Sequence, residues 1–227
     1  MSNYDDNSYS FTGIEIPFVL SIISLFFWNS LILLPIKLLT VMFHELSHGI
    51  MAIMTGGKII SIDIGLNQGG LCLTRGGWPI LVMSAGYLGS LLCGSGLLLL
   101  SFKKKANKII TVILGVVLII VTLMWVKRTE AMVITYSTAI ALILIGLKLK
   151  EFYCSMFVKF ISLISCLYVV FDIKEDLLDR TVCDSDAYQI AKLIFPSSPS
   201  IGSYFIGILW LSIALFIVWK VFKIAFK

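Results

Sequence analysis

Apolar residues in this chain do not alternate with polar ones as they do in a soluble fold; they run on for a score of positions at a time and stop at short polar breaks. A bilayer core takes about 20 apolar residues per helical span. On that measure seven spans are predicted: Pro17–Leu34, Ile36–Met54, Trp78–Phe102, Lys108–Val126, Ala131–Leu149, Phe152–Phe171 and Ile201–Phe222. Residues 17 to 54 hold too many apolar positions for one crossing. Pro35 cannot donate a helical hydrogen bond and crowds the preceding turn, so a helical hairpin is expected to turn there.

Two segments break the pattern. After Gly56-Gly57, Ile60, Ile62 and Ile64 alternate with Ser61 and Asp63, Asn67-Gln68-Gly69-Gly70 is turn chemistry, and Leu71 and Leu73 alternate with Cys72 and Thr74. That reads as a β-hairpin. The second is Asp172–Ser200, where Asp186, followed by Gln189 and by apolar Ile190, Leu193 and Ile194, opens a short amphipathic helix that Pro196 and Pro199 close. The expected fold class is therefore an all-α polytopic membrane protein of about seven transmembrane helices, six to eight, with a small β-hairpin between the second and third. We expect a single membrane domain over 1–227, made of a polar N-terminus (1–16), a motif-bearing unit (36–102) and an Asp-rich loop with its short helix (172–200).

Composition agrees and narrows the partners. Hydrophobic residues make up 59% and charged residues 14% of 227, with a mean hydropathy of +0.99, so the chain belongs in lipid as a multi-pass integral protein. The net charge of +5 sits mostly in Lys clusters at the ends of apolar runs, which anchors topology and speaks against nucleic acid as a partner. Lys103-Lys104-Lys105 with Lys108, Lys148 with Lys150, and Lys220, Lys223 and Lys227 fall on one side of a seven-span chain, predicting N-terminus out and C-terminus in. The acidic stretch before the first run lacks a basic n-region, so that run is expected to be retained. Five scattered cysteines suggest neither a disulfide framework nor a C-x-x-C site.

The chemistry lies in the second span. Both histidines of the chain, His44 and His48, stand four residues apart with Glu45 after the first. On a helix that spacing sets two imidazoles on one face, able to bind one ion at roughly 2.0–2.1 Å while the Glu reaches a water on it. The pattern points to zinc, with Glu45 as general base. By chance alone the motif carries little; within a span a Glu costs about 2.5–3.5 kcal/mol to insert, and polar groups there usually line a site.

Phe43-His44-Glu45-Leu46-Ser47-His48-Gly49, the Thr55-Gly56-Gly57 after it, the hairpin, and Ala85-Gly86-Tyr87-Leu88-Gly89 in the next span resemble the site-2 protease family of intramembrane zinc metalloproteases, in its compact branch without inserted soluble domains. The resemblance implies peptide-bond hydrolysis within the bilayer, a membrane-protein or peptide substrate, Zn2+ on His44 and His48, Glu45 as base, and a third ligand, usually an Asp, from a later helix. The Leu-Asp-Gly that carries this Asp in the family is absent here. Span parity puts the C-terminal part of the second span on the same side as the Asp-rich segment. Asp186, in Asp184-Ser185-Asp186-Ala187, looks like the compact branch's Ser-Asp-Ala and is the first choice; Asp172 is the alternative, and Asp184 or Cys183 could substitute. An N-cap role competes for Asp186.

Three further expectations follow. Gly86, Ser90 and Gly94 form a small-residue face for close helix packing, with the second span as partner. A strand of the hairpin, residues 59–64 with Ile60, Ile62 and Ile64 or residues 71–74, offers an edge for a substrate by strand addition, against a plain connector role. Two other functions share the motif: a catalytically inactive scaffold or chaperone of the same fold, and a divalent-metal transporter, which the lack of further His and mid-span carboxylates disfavours.

Overall fold

The computed structural model describes residues 13–28, 30–65, 69–103, 105–178 and 185–226. Its helices are α1 (Glu15–Phe26), α2 (Leu34–Met54), α3 (Pro79–Ser101), α4 (Ala106–Trp125), α5 (Thr129–Lys148), α6 (Glu151–Leu178), α7 (Asp186–Ile194) and α8 (Pro199–Ala225). A two-stranded antiparallel sheet, β1 (Lys58–Ile64) and β2 (Gly70–Arg75), lies between α2 and α3. Six of the helices, α2 to α6 and α8, are long and apolar enough to cross a membrane. The expected corner at Asn67-Gln68, Lys104, Lys227, Cys183 and Asp184 lie outside the described residues.

The first expected span is corrected. The helix there is α1, of 12 residues, which at 1.5 Å per residue reaches about 18 Å, well under a hydrocarbon core of about 30 Å. A single 3₁₀ turn at Leu31–Leu33 leads into α2, and Pro35 sits in the first turn of that helix. There its missing N–H has no intrahelical acceptor to lose and its fixed φ suits a helix start. Pro79 and Pro199 open α3 and α8 in the same way. Because α1 is short, its start stays beside the end of α8: Ile14 shares a cluster with Val221, and Phe18 packs edge-on to Phe222 and Phe226 at 5.9 and 5.3 Å. The expected placement of N-terminus and C-terminus on opposite sides does not hold for the described chain.

The buried cores show what holds the site. One joins α2, β1, α4 and α5 through Leu38, Val41, Ile62, Leu118, Val121 and Leu142. Another joins α3, α6, α7 and α8 through Tyr87, Leu91, Cys166, Ile173, Ile190 and Trp210. The space between these two packings, bounded by α2, α3, α6, α7 and β2, is where the polar side chains collect.

The hairpin departs from simple alternation. A bulge between Ile59 and Ser61 inserts one residue into β1, so Ile59, Ile62 and Ile64 are buried while Ile60 is half-buried. β1 is further covered by a parallel bridge from Ile62 to Val126. On β2, Leu71 and Leu73 are exposed, and among the described residues no strand but β1 pairs with it.

Candidate active site

α2 carries His44 and His48 one turn apart, with ring centroids 4.7 Å from each other. Their Nε2 atoms lie 3.2 and 3.1 Å from one oxygen, Oδ2, of Asp186 at the start of α7. Each of the three offers a ligand atom within 4.8 Å of the others, and among the described residues this is the group so placed. His48 Nδ1–H donates to the Val82 carbonyl of α3 at 2.7 Å, which turns the Nε2 lone pair toward Asp186. A lone pair and a carboxylate oxygen at that separation repel unless a cation or proton lies between them. Two imidazoles and a carboxylate converging in this way are a donor set for a divalent ion of the zinc type.

Asp186 is free to face the histidines because its neighbour caps the helix. Ser185 is the N-cap of α7 and its hydroxyl accepts from the Tyr188 N–H at 3.2 Å, so the cap role considered for Asp186 falls to Ser185. Burial alone would raise the Asp186 carboxyl, but positive charge on His48 and then His44 outweighs it and holds the group below the usual carboxylate range. A cation bound there, with both imidazoles neutral, would act in the same direction.

Gly86 of α3 closes the other side. A Cβ there would overlap Nε2 of both histidines, so only glycine leaves the ring nitrogens clear. A Cβ at Gly89 would lie 2.6 Å from Ser47 Cβ, and one at Gly94 would meet Ser165 of α6 at 2.9 Å. The small-residue face therefore serves two helices, α2 through Gly86 and Gly89 and α6 through Gly94, where α2 alone was expected.

Glu45 is buried and turns from the histidine pair toward β2. A Cβ at Gly70 would collide with its carboxyl group, and the Cys72 backbone N–H is directed at it. Glu45, His44, His48 and Asp186 all line one cavity of about 1040 Å³, walled on one side by Gly69–Thr74 of the hairpin. The cavity does not include Ile60, Ile62 or Ile64. Ile62 and Ile64 face the core, 0% and 4% exposed, because the bulge sets the buried phase of β1; the wall is β2 instead. Asp172 lines the same cavity but stands outside the group of three, its Oδ1 accepting from the Tyr168 hydroxyl at 3.2 Å. Burial and then the nearby Glu45 push the Cys72 thiol up to about 12, and Cys72 stands outside the group of three.

Sequence reasoning missed the Val82 carbonyl, the edge-on packing of Tyr87 on His44 at 4.7 Å, and Gly70 against Glu45. A backbone acceptor leaves no mark in sequence. The glycine pair Gly69-Gly70 did, but turn chemistry accounted for it.

A family model described as Peptidase M50B-like matches residues 18–221. Neither the curated proteins nor the solved structures give a match.

Proposed function

The chain belongs to the Peptidase M50B-like family, and from that premise we propose that this integral, multi-pass membrane protein is an intramembrane zinc protease, hydrolysing a peptide bond in or near a transmembrane segment. The observation that carries the reading is the meeting of His44 and His48 Nε2 on Asp186 Oδ2, from two elements 142 residues apart in sequence. His44, His48 and Asp186 would hold the zinc, and Gly86 keeps the space beside both ring nitrogens open. Zinc, when bound, supplies Lewis acidity and a lowered pKa for water.

The chain's own groups supply the rest. Glu45 accepts the proton of the attacking water on its carboxylate and passes it to the leaving amine, as general base and then general acid. Glu45 is itself buried at the wall of the cavity, packed against β2. His48 is held in one orientation by Val82, so its Nε2 needs no reorganisation during the reaction. An unwound peptide leaves backbone N–H and C=O groups bare, which is costly at membrane depth. The open edge of β2 answers them by strand addition, with Leu71 and Leu73 beside the incoming side chains. Of the two strands offered by the sequence, this reading places the peptide on residues 71–74 rather than on 59–64 with Ile60, Ile62 and Ile64.

The test is metal content and cleavage of the purified protein in detergent, with fluorescein-labelled casein, an unfolded chain, as substrate. We expect about one zinc per chain and cleavage in the wild type, and zinc without cleavage in Glu45→Gln, which removes the base and leaves the ligands. No zinc in the wild type would sink the protease reading and favour a scaffold of the same fold.

A further inference from the structure

β2 touches the base more closely than a mere wall of the cavity requires. Its first residue, Gly70, pairs with Ile64 of β1, and the turn beneath is closed by the Gly65 N–H on the Gly69 carbonyl at 2.7 Å. A Cβ added to Gly70 would overlap Glu45 Oε1 and stand 2.7 Å from both Cδ and Cγ. Real Cβ atoms do not approach that closely, so the whole end of the Glu45 side chain rests against the backbone of the strand. The sheet is seated on α2 one turn past Glu45, where Gly49 admits Ile59: a Cβ there would lie 2.8 Å from Ile59 Cγ1 and 3.5 Å from Cys72 Sγ. Helix, sheet and carboxyl group thus form one packed unit, and among the described residues no strand pairs with the outer edge of β2.

We infer that Gly70 is a positioning residue for Glu45: by presenting bare backbone it lets β2 hold the carboxylate at the level of the edge on which the substrate is read. The same strand then sets the base and receives the peptide, so the register of the peptide along β2 and the reach of Glu45 to the water beside the scissile carbonyl are a single geometry. This rests on the protease reading and adds to it the element that aligns its base. The three atoms nearest a methyl at Gly70 all belong to Glu45, so the variant acts first on Glu45 rather than on the histidines or Asp186.

Gly70→Ala is the decisive variant, measured on detergent-purified full-length protein with labelled casein. Misplacing a reacting group by about 1 Å can cost roughly 100-fold in rate, so we expect kcat to fall about 10- to 100-fold with KM changed less than about 3-fold and zinc content unchanged. A thermal-stability cycle reads the contact without catalysis. Gly70→Ala lowers Tm in the wild-type background and has no further effect when combined with Glu45→Ala, which removes the group it strikes. Wild-type kcat in Gly70→Ala, loss of zinc along with activity, or an equal Tm loss in both backgrounds would overturn the inference. A wild-type protein that carries zinc and leaves the casein intact would instead count against the protease reading beneath it.

Discussion

α2 and α4 are nearly the same length, 21 and 20 residues, and both are apolar enough to cross a membrane, yet they are built to opposite ends. α4 has a mean hydropathy of 2.6 with 28% of its span buried, while α2 has 1.2 with 67% buried. α4 turns Ile109, Ile113, Ile120 and Leu123 outward and keeps its polar Thr111 and Thr122 against α5 and α6, each hydroxyl bonded to the carbonyl four residues back. α2 has Thr40, His44, Glu45, Ser47 and His48 in its middle and is wrapped by α3, β2 and α6. In lipid, polar groups survive only where protein satisfies them. The less a helix looks like a membrane span, the more deeply it must be packed, and the site lies on the helix with the weakest membrane signal. Substitutions should separate the two helices sharply.

The largest effect is expected from His48→Ala, which removes one proposed zinc ligand and the bond to Val82 together. Zinc should be lost on metal analysis and cleavage reduced by at least ~10³-fold, since a metal contributes several kcal/mol to the transition state. Chelation of the wild type should mimic it. A ligand at about 100 times its Kd stabilises by about 2.7 kcal/mol, so a chelator should lower the wild-type Tm by several degrees and leave His48→Ala unmoved. Equal zinc in both proteins would break the contrast between α2 and α4 outright.

Gly86→Ala, on α3, comes next. The added methyl occupies space beside Nε2 of both histidines, and disturbance of a ligand's surroundings typically weakens metal binding by about 10- to 100-fold. A competition titration against a chromogenic chelator should show that loss with the helical signal in circular dichroism retained. Unchanged affinity would mean the histidines have room the packing denies them.

The same contrast explains what could be read in the sequence. His44, Glu45 and His48 were legible because a charged group in a span has few explanations, and Asp186 because it begins a helix on the right side of the bundle. The long spans were legible for the opposite reason, since lipid demands length and little else. What could not be read depends on neighbours. α1 ends after 12 residues although the apolar run continues, and Pro35, taken as a break, starts a helix instead. One inserted residue at Ile60 moved the buried phase of β1, and of the two strands left open by the sequence it is β2 that lines the cavity. A cap role competed for Asp186 on sequence grounds, and the structure gives the cap to Ser185 and turns Asp186 to the histidines.

Ser185→Ala sharpens that last point at smaller scale. Loss of an N-cap costs about 1 kcal/mol, and here the frayed turn holds Asp186. Zinc affinity should fall by roughly 5- to 10-fold, by up to that free energy, while Ser185→Asp, which also caps, should restore most of it. If Ser185→Ala leaves affinity unchanged, Asp186 is held by its histidines alone.

At the small end stands Ile113→Leu on the outer face of α4, where the side chain is 54% exposed in the isolated chain. Both residues are apolar and of equal size, and a helix favours Leu slightly over Ile. Lipid tails do not discriminate between them by shape as a packed core does. Tm and casein cleavage should both stay within error, inside about 0.5 kcal/mol for an exposed position. Val41→Leu on α2, similarly conservative, should by comparison lower both measurably, because Val41 is buried and lines the cavity. Sensitivity at Ile113 equal to that at Val41 would mean that protein, not lipid, covers this face of α4, and the exposed ridge Ile113, Ile120 and Leu123 would then be the first surface to cross-link in search of a second chain.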